Sequence, residues 1–361
     1  MKFLTAKRPL ISGALVGLAC LVSAPACAAD GKGLAYVSNQ KGNVTVIDLA
    51  TMEVVSEIDV GAEGPRGIGI TGDGKWLVTA NGEDGDISVI DRVSGKLVKR
   101  IAIGKNPEFV RIRGDYAFVS FEPAAVGGPP PKPGSEEAKA LAREREEDNE
   151  EPAKIAVVDL ARGKVIRAIT GGMETEGIEF SADGKMILVT NEADENVTVH
   201  EIATGKLVKK ISTAEYGNRP RGIKMAPGGR IYAATLEYGN KLVVLDDKFN
   251  VVKVVSTGEV PYGLAFDRKG ERLFVALAKG KALQVFDART FGLLKNVPVG
   301  DRCWHFTFTP DDSHILVACG RSNDIVVIDA KSLEPVKRIE DKKMPWGIVT
   351  YPKSVGSLDV P

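Results

Sequence analysis

A hairpin that recurs seven times constrains this chain more than anything else in it. Residues 65–82, PRGIGITGDGKWLVTANG, read as a short strand, a tight turn and a second strand, from period-two alternation broken by Gly and Asp. Versions start at Pro107 (PEFVRIRGDYAFVSFE), Thr175 (TEGIEFSADGKMILVTNE) and Pro220 (PRGIKMAPGGRIYAATLE). Others start at Pro261 (PYGLAFDRKGERLFVALA), Cys303 (CWHFTFTPDDSHILVACG) and Pro345 (PWGIVTYP). Successive starts lie 42, 68, 45, 41, 42 and 42 residues apart. A repeat of about 40–45 residues with four short strands is the mark of a propeller blade, whose sheet buries its faces only against its neighbours. The expected fold is all-β: a seven-bladed β-propeller of four-stranded antiparallel blades.

The two ends of the chain complete one another. Residues 35–61 hold three strands, expected at 35–39, 43–49 and 54–60, with no inner strand before them. PWGIVTYP is an inner strand with no blade after it. The N- and C-terminal strands are therefore expected to share the last blade, which removes free sheet edges. Outer strand pairs follow each hairpin, as in ISVIDRVSGKLVKRIAIG at 87–104: a Val/Ile run ending in Asp, a turn, then a strand. The Asp is assigned to capping turn N–H groups, a structural role.

The first 29 residues read as a targeting segment. Lys2, Lys7 and Arg8 precede an apolar stretch at 10–22, too short to span a bilayer. Ala26-Cys27-Ala28 then offers a small-residue cleavage site, with 27–29 as the second choice. This predicts a Sec signal peptide cut after Ala28 or Ala29, and a single propeller domain over 30–361. The mature chain is then periplasmic or secreted, with no membrane span. The full chain balances 48 basic against 48 acidic side chains, and loss of the leader leaves 45 against 48. Such a balance gives no electrostatic reason to expect nucleic acid, or an anionic membrane, as the main partner.

The long second gap marks an insertion at 124–152. It opens GGPPPKPG, stiff and extended, and continues SEEAKALAREREEDNEE, with eight acidic and three basic residues. Ser135 can cap a helix whose first turn holds Glu136 and Glu137. The insertion leaves after a second strand and returns before a third, so it belongs to the face where the inner strands begin. It is expected to be a solvated acidic loop, or a lid or docking arm for a basic partner.

The strings AYVSN, LVTAN, LVTNE and VID-x4-GK resemble the YVTN family of bacterial propeller proteins, over residues 33–352 apart from the insertion. That resemblance is specific for fold and weak for function. It implies kinship with surface-layer proteins and with periplasmic propellers found beside quinoprotein (PQQ) catabolism. The propeller of haem-containing nitrite reductases and seven-bladed lactonases are more distant relatives. The sequence has no C-x-x-C-H, so no covalent haem is expected, and it lacks the histidine set by which the nitrite-reductase propeller holds haem. No cofactor is expected.

Candidate chemistry lies at two places. The residue after each inner-strand start should stand near the channel mouth: Arg66, Glu108, Glu176, Arg221, Tyr262, Trp304 and Trp346. Charged groups come from the first four blades and aromatics from the next three, a mouth suited to an amphipathic ligand or peptide. Glu108 and Glu176 could work as acid and base, but Arg66 and Arg221 are expected to neutralise them. The second place is the hairpin carrying Cys303 and Cys319. A three-residue loop at 310–312 would set these cysteines opposite one another, close enough for a disulfide in an exported protein. The rivals are free thiols, or a soft-metal site of Cys303, His305 and Cys319. His200 is expected to pack in its sheet, and His314 to be exposed. No G-x-S-x-G, H-E-x-x-H, P-loop or Rossmann glycine pattern is present.

These residues favour a monomeric binding or scaffolding propeller over an enzyme. It would present its insertion-bearing face and mouth to a protein or small ligand, and could serve a periplasmic redox (quinoprotein) system. The alternatives are a lactonase-like hydrolase, or a metal-handling protein using the channel.

Overall fold

A computed structural model describes residues 32–122 and 151–359, with 135–137, 139–140 and 143 from the insertion. The leader and both cleavage sites lie outside the described residues, as does most of the insertion. Twenty-eight strands, β1 to β28 in chain order, form seven four-stranded antiparallel sheets. Blade 1 runs from its inner strand β4 (Pro65–Ile70) to its outer strand β7 (Lys96–Ala102). Blades 2 to 6 begin with β8 (Val110–Arg113), β12 (Thr175–Phe180), β16 (Pro220–Met225), β20 (Pro261–Phe266) and β24 (Cys303–Phe308). They end with β11 (Lys164–Thr170), β15 (Leu207–Ser212), β19 (Val251–Ser256), β23 (Leu293–Pro298) and β27 (Glu334–Ile339). Blade 7 has the order β28 (Pro345–Tyr351), β1 (Leu34–Asn39), β2 (Val44–Asp48), β3 (Glu53–Ile58), so both ends of the chain close it as expected.

The motif strings have a mechanical explanation. The hydroxyl of Thr190 accepts the Gly177 N–H at 2.7 Å and donates to the carbonyl of Arg221 in the next blade at 2.6 Å. Thr235 does the same between Gly222 and Tyr262, and Ser38 between Gly347 and Arg66. The adjoining Asn bridges to the third strand: Asn81 to Asp86 and Ser88, Asn191 to Asn196 and Thr198. These buried bonds satisfy polar groups while clamping blade to blade. Gly177 and Gly222 are required there, because a Cβ would collide with the carbonyl of the next inner strand.

Two further devices tie the blades. The Asp after the third strand accepts turn N–H groups, as at Asp48, Asp91, Asp246, Asp287 and Asp329. A Lys or Arg on an outer strand donates to a turn carbonyl of the next blade: Lys209 to Lys248, Lys253 to Thr290, Lys295 to Ser332. Blade 2 departs from expectation. Its inner strand begins at Val110 and not at 107, although the Phe109 N–H still meets the Ser120 hydroxyl at 3.1 Å as Gly177 and Gly222 meet Thr190 and Thr235.

The chain after β28 turns back into the channel. Residues 354–359 run antiparallel to β24, with the Phe308 N–H on Val355 O and the Ser357 N–H on Phe306 O, both at 2.9 Å. Leu358 is buried, and its carbonyl accepts from the fully buried Arg111. Among the described residues, no helix is long and apolar enough to cross a membrane.

Candidate functional site

Of the seven residues expected at the mouth, Arg66, Glu108, Glu176, Arg221 and Tyr262 form one connected group and Trp346 joins it through His305, whereas Trp304 packs on Gly320. Glu108, Glu176, Tyr262, Trp304 and Trp346 are buried, and Arg66 and Arg221 half-buried. Arg66 Nη1 reaches Glu108 at 3.1 Å and Asn106 at 3.0 Å. Arg221 Nη2 holds Glu108 at 3.2 Å and Glu176 at 3.1 Å, while its other nitrogen meets Glu192 and Glu237. Arg219 binds Glu174, Glu192 and Glu237. The array thus joins five carboxyl groups to three guanidinium groups. The arginines spend their donors inside it, with Arg66 and Arg221 set against Glu108 and Glu176.

The aromatic groups lie beneath this array. Arg221 stacks over Tyr262 at 4.2 Å. The His305 ring packs at 4.3 Å from Trp346, 5.5 Å from Tyr262 and 6.1 Å from Phe109. Trp304 packs on Gly320 with Arg302 over its ring. In five blades the residue two after the start is Gly, but blades 2 and 6 place Phe109 and His305 there, and these two meet across the channel. Below them lies a charged layer: Arg111 and Lys224 against Glu179, with Lys224 Nζ donating to Asp359 O at 2.9 Å. The C-terminal segment fills the space between. The mouth is therefore a basin with a floor.

Burial shifts the titration of these groups. Burial pushes the Glu176 carboxyl well above the usual range, and neighbouring Glu108 adds to it against the pull of Arg221. Burial also opposes ionisation of Glu108, but Arg66 and Arg221 outweigh it and hold Glu108 below the usual range. Glu108 is thus favoured as the ionised carboxylate of the pair and Glu176 as the protonated one. Burial, and then Arg221, keep His305 neutral; its Nδ1 lies 3.0 Å from the Ser357 hydroxyl. Burial lowers Lys224 to about 7.

Cys303 and Cys319 form a disulfide. The expected register was wrong by one residue, and a bulge corrects it. The turn closes on Thr309 and His314, so Phe308 faces Ile315. A slip between Cys303 and His305 then returns Cys303 to Cys319. The proposed metal site of Cys303, His305 and Cys319 loses its two sulfur ligands to that bond. Among the described residues no cluster of His, Cys, Asp and Glu could hold a metal. His200 packs in its sheet as expected, whereas His314 is half-buried against Ser313.

Arg219, Glu192, Glu237 and Glu174 were not singled out from sequence. The signal was available: Arg219 precedes the blade 4 start, and VTNE and ATLE end second strands, which stand beside the starts of first strands.

A family model described as the cytochrome D1 heme domain matches residues 13–108, just over a quarter of the chain. No curated protein matches the sequence. Kuenenia stuttgartiensis hydrazine synthase superposes with a TM-score of 0.66 at 21% identity, covering 88% of this chain and 99% of that one. The Pseudomonas aeruginosa periplasmic gluconolactonase PpgL gives 0.68 at 16% identity, covering 91% and 99%. The dihydro-heme d1 dehydrogenase NirN gives 0.63 at 19% identity, covering 92% and 78%. At these identities the likeness establishes the propeller. The described residues do not fit a haem at the mouth. Its histidine is enclosed by three rings, and the array above carries more carboxyl than guanidinium groups, which opposes a carboxylate-bearing macrocycle.

Proposed function

We propose that this chain is an exported binding propeller that presents its insertion-bearing mouth to a positively charged ligand or a basic segment of a partner protein. The observation that carries this reading is the mouth array, in which five carboxyl groups surround three guanidinium groups over a closed floor. The strand ends that flank the acidic insertion lie at the same face, where β9 (Tyr116–Phe121) ends and β10 (Lys154–Asp159) begins. The leader and the disulfide support export. A place beside a periplasmic redox system draws support from the resemblance and from redox neighbours such as hydrazine synthase and NirN. The test is calorimetric titration with short oligolysine and oligoglutamate peptides. Salt-sensitive binding of oligolysine, weakened in the E174Q variant, is expected; preference for oligoglutamate would overturn the reading.

One observation favours a second reading, a lactone hydrolase. Glu108 and Glu176 both contact Arg221, which stacks on Tyr262, and their titrations are pushed in opposite directions, so the Glu108 carboxylate could activate water while the Glu176 carboxyl protonates the leaving alkoxide. Arg221 would stabilise the oxyanion. Gluconolactonase PpgL shares the fold. Turnover of gluconolactones that disappears in both E108Q and E176Q would establish this reading in place of the first.

A further inference from the structure

Every blade ends in an edge strand, and all seven edge strands carry the same irregularity. On β3, β7, β11, β15, β19, β23 and β27 the register against the third strand slips by one residue. The bulged residues are Val55, Val98, Ile166, Val208, Val252, Leu294 and Val336, each apolar and 43–56% exposed. A bulge protects an edge from accepting a foreign strand. It does not require an apolar side chain facing water. Yet, among the described residues, 13 of the 16 exposed large hydrophobics lie on these seven strands. Exposed apolar groups concentrated in this way mark an interaction surface.

Charge divides the wall into two arcs. The outer strands of blades 1 to 4 (β7, β11, β15, β19) carry eight basic residues and no acidic one. Among these, only Arg100 has a carboxylate partner among the described residues. On the outer strands of blades 5 to 7, Lys295, Lys337 and Arg338 pair with Glu334, Glu53 and Asp324. The neutral balance of the whole chain conceals this, because acid is gathered at the mouth and in the insertion.

We propose that the outer wall at the centre of this arc, on blades 2 and 3, docks on an anionic phospholipid surface. Ile166 and Val208 enter the headgroup boundary while Lys164, Lys210 and Lys99, which lies beside Gly163 of blade 2, meet the phosphates. Charge complementarity names the occupant's sign. The bulges argue against its being an added strand from an acidic protein.

The test is co-sedimentation of the mature full-length protein with vesicles of phosphatidylcholine, or of phosphatidylcholine and phosphatidylglycerol in equal parts. Binding to the anionic vesicles alone is expected, falling with salt and by about fivefold for each of K99Q, K164Q and K210Q. The I166S/V208S double variant should weaken binding, while L294S on the other arc should not. All these side chains are exposed, so the variants fold. Equal binding to both vesicle types, no binding, or equal loss in L294S would overturn the proposal. So would salt-sensitive binding of oligoglutamate as strong as that of vesicles and indifferent to I166S/V208S, since the wall would then read charge without lipid.

Discussion

Breaking the Cys303–Cys319 bond should cost this protein a calculable amount of stability. The bond joins residues 16 apart in sequence. Closing a loop of about 15 residues in the unfolded chain stabilises the native state by about 3 kcal/mol. The native hairpin needs little help from the bond, because ladder pairs such as Phe306 with Val317 already hold it. The effect therefore lies mainly in the unfolded ensemble. With roughly 300 ordered residues at about 2.1 cal/mol/K each, unfolding carries about 0.6 kcal/mol/K, so 3 kcal/mol corresponds to a shift of about 5 °C. The assay is calorimetric melting with and without reductant, with complete reduction established by alkylation and mass. The Cys303→Ala/Cys319→Ala variant should melt lower still, because both side chains are wholly buried and their sulfurs pack in blade 6. Two alkylatable thiols in the untreated native protein would refute the pairing. Full reduction that moves the melting point by less than about 1 °C would refute the loop argument while leaving the bond intact.

Other perturbations have signed outcomes. Glu176 is raised, so the native state holds a proton that the unfolded chain has lost; wild-type stability should fall as pH rises above the carboxylate range, and E176Q should lack that fall in pH-dependent melts. Lys224 is lowered to about 7 from 10.5, so the unfolded state binds the extra proton across that window; wild-type stability should rise with pH there, and K224M should not follow it. Removing residues 354–361 takes the Leu358 acceptor from fully buried Arg111, a loss of the order of 3–5 kcal/mol in denaturant titrations. T190V leaves the Gly177 N–H and the Arg221 carbonyl without their shared hydroxyl, at about 1–3 kcal/mol, whereas T51V on an exposed turn should change stability by less than about 0.5 kcal/mol.

The blade count, strand order and shared closing blade were legible because each rests on short-range periodicity and turn chemistry. The motif Ser/Thr and Asn were visible too, although only the structure explains them: Thr190 reaches the next blade and Asn191 the next strand. Bulges were not legible. An inner-strand slip of one residue recurs after Pro65, Thr175, Pro220, Pro261 and Cys303, and nothing in an alternating apolar pattern reveals it. At the cysteines this slip cancelled a turn read one residue too short, so a correct pairing came from an incorrect register. Glu108, Glu176 and Arg221 were legible as positions beside strand starts, but Glu192 and Glu237 were not, because they stand just past second strands ending at Asn191 and Leu236, which a ring drawn from first strands omits. Charge segregation escaped notice because a whole-chain sum has no geometry.

A repeat makes seven equivalent positions, and structural demands fill them alike. The residues that break the pattern are therefore the informative ones. Gly is forced two residues after the inner-strand start wherever the next blade's carbonyl approaches, yet blades 2 and 6 carry Phe109 and His305 there. Their rings meet across the axis and form the floor of the mouth. Blade 2, with the shortened inner strand, is also the blade that bears the acidic insertion. On the fourth strands, apolar bulges recur in all seven blades, but basic residues without a carboxylate partner among the described residues are confined to four consecutive ones. Neither departure serves blade packing, which the other blades achieve without it. Selection for closure explains the seven-fold features; an acidic basin at one end and a basic arc on one side call for partners of opposite charge. A variant exchanging His305 for Gly, the residue of five other blades, separates these causes. It should lose the packing of His305 against Phe109 and Trp346 and open the floor, while vesicle binding by the outer wall stays unchanged. Loss of both together would mean that basin and wall are one structural unit.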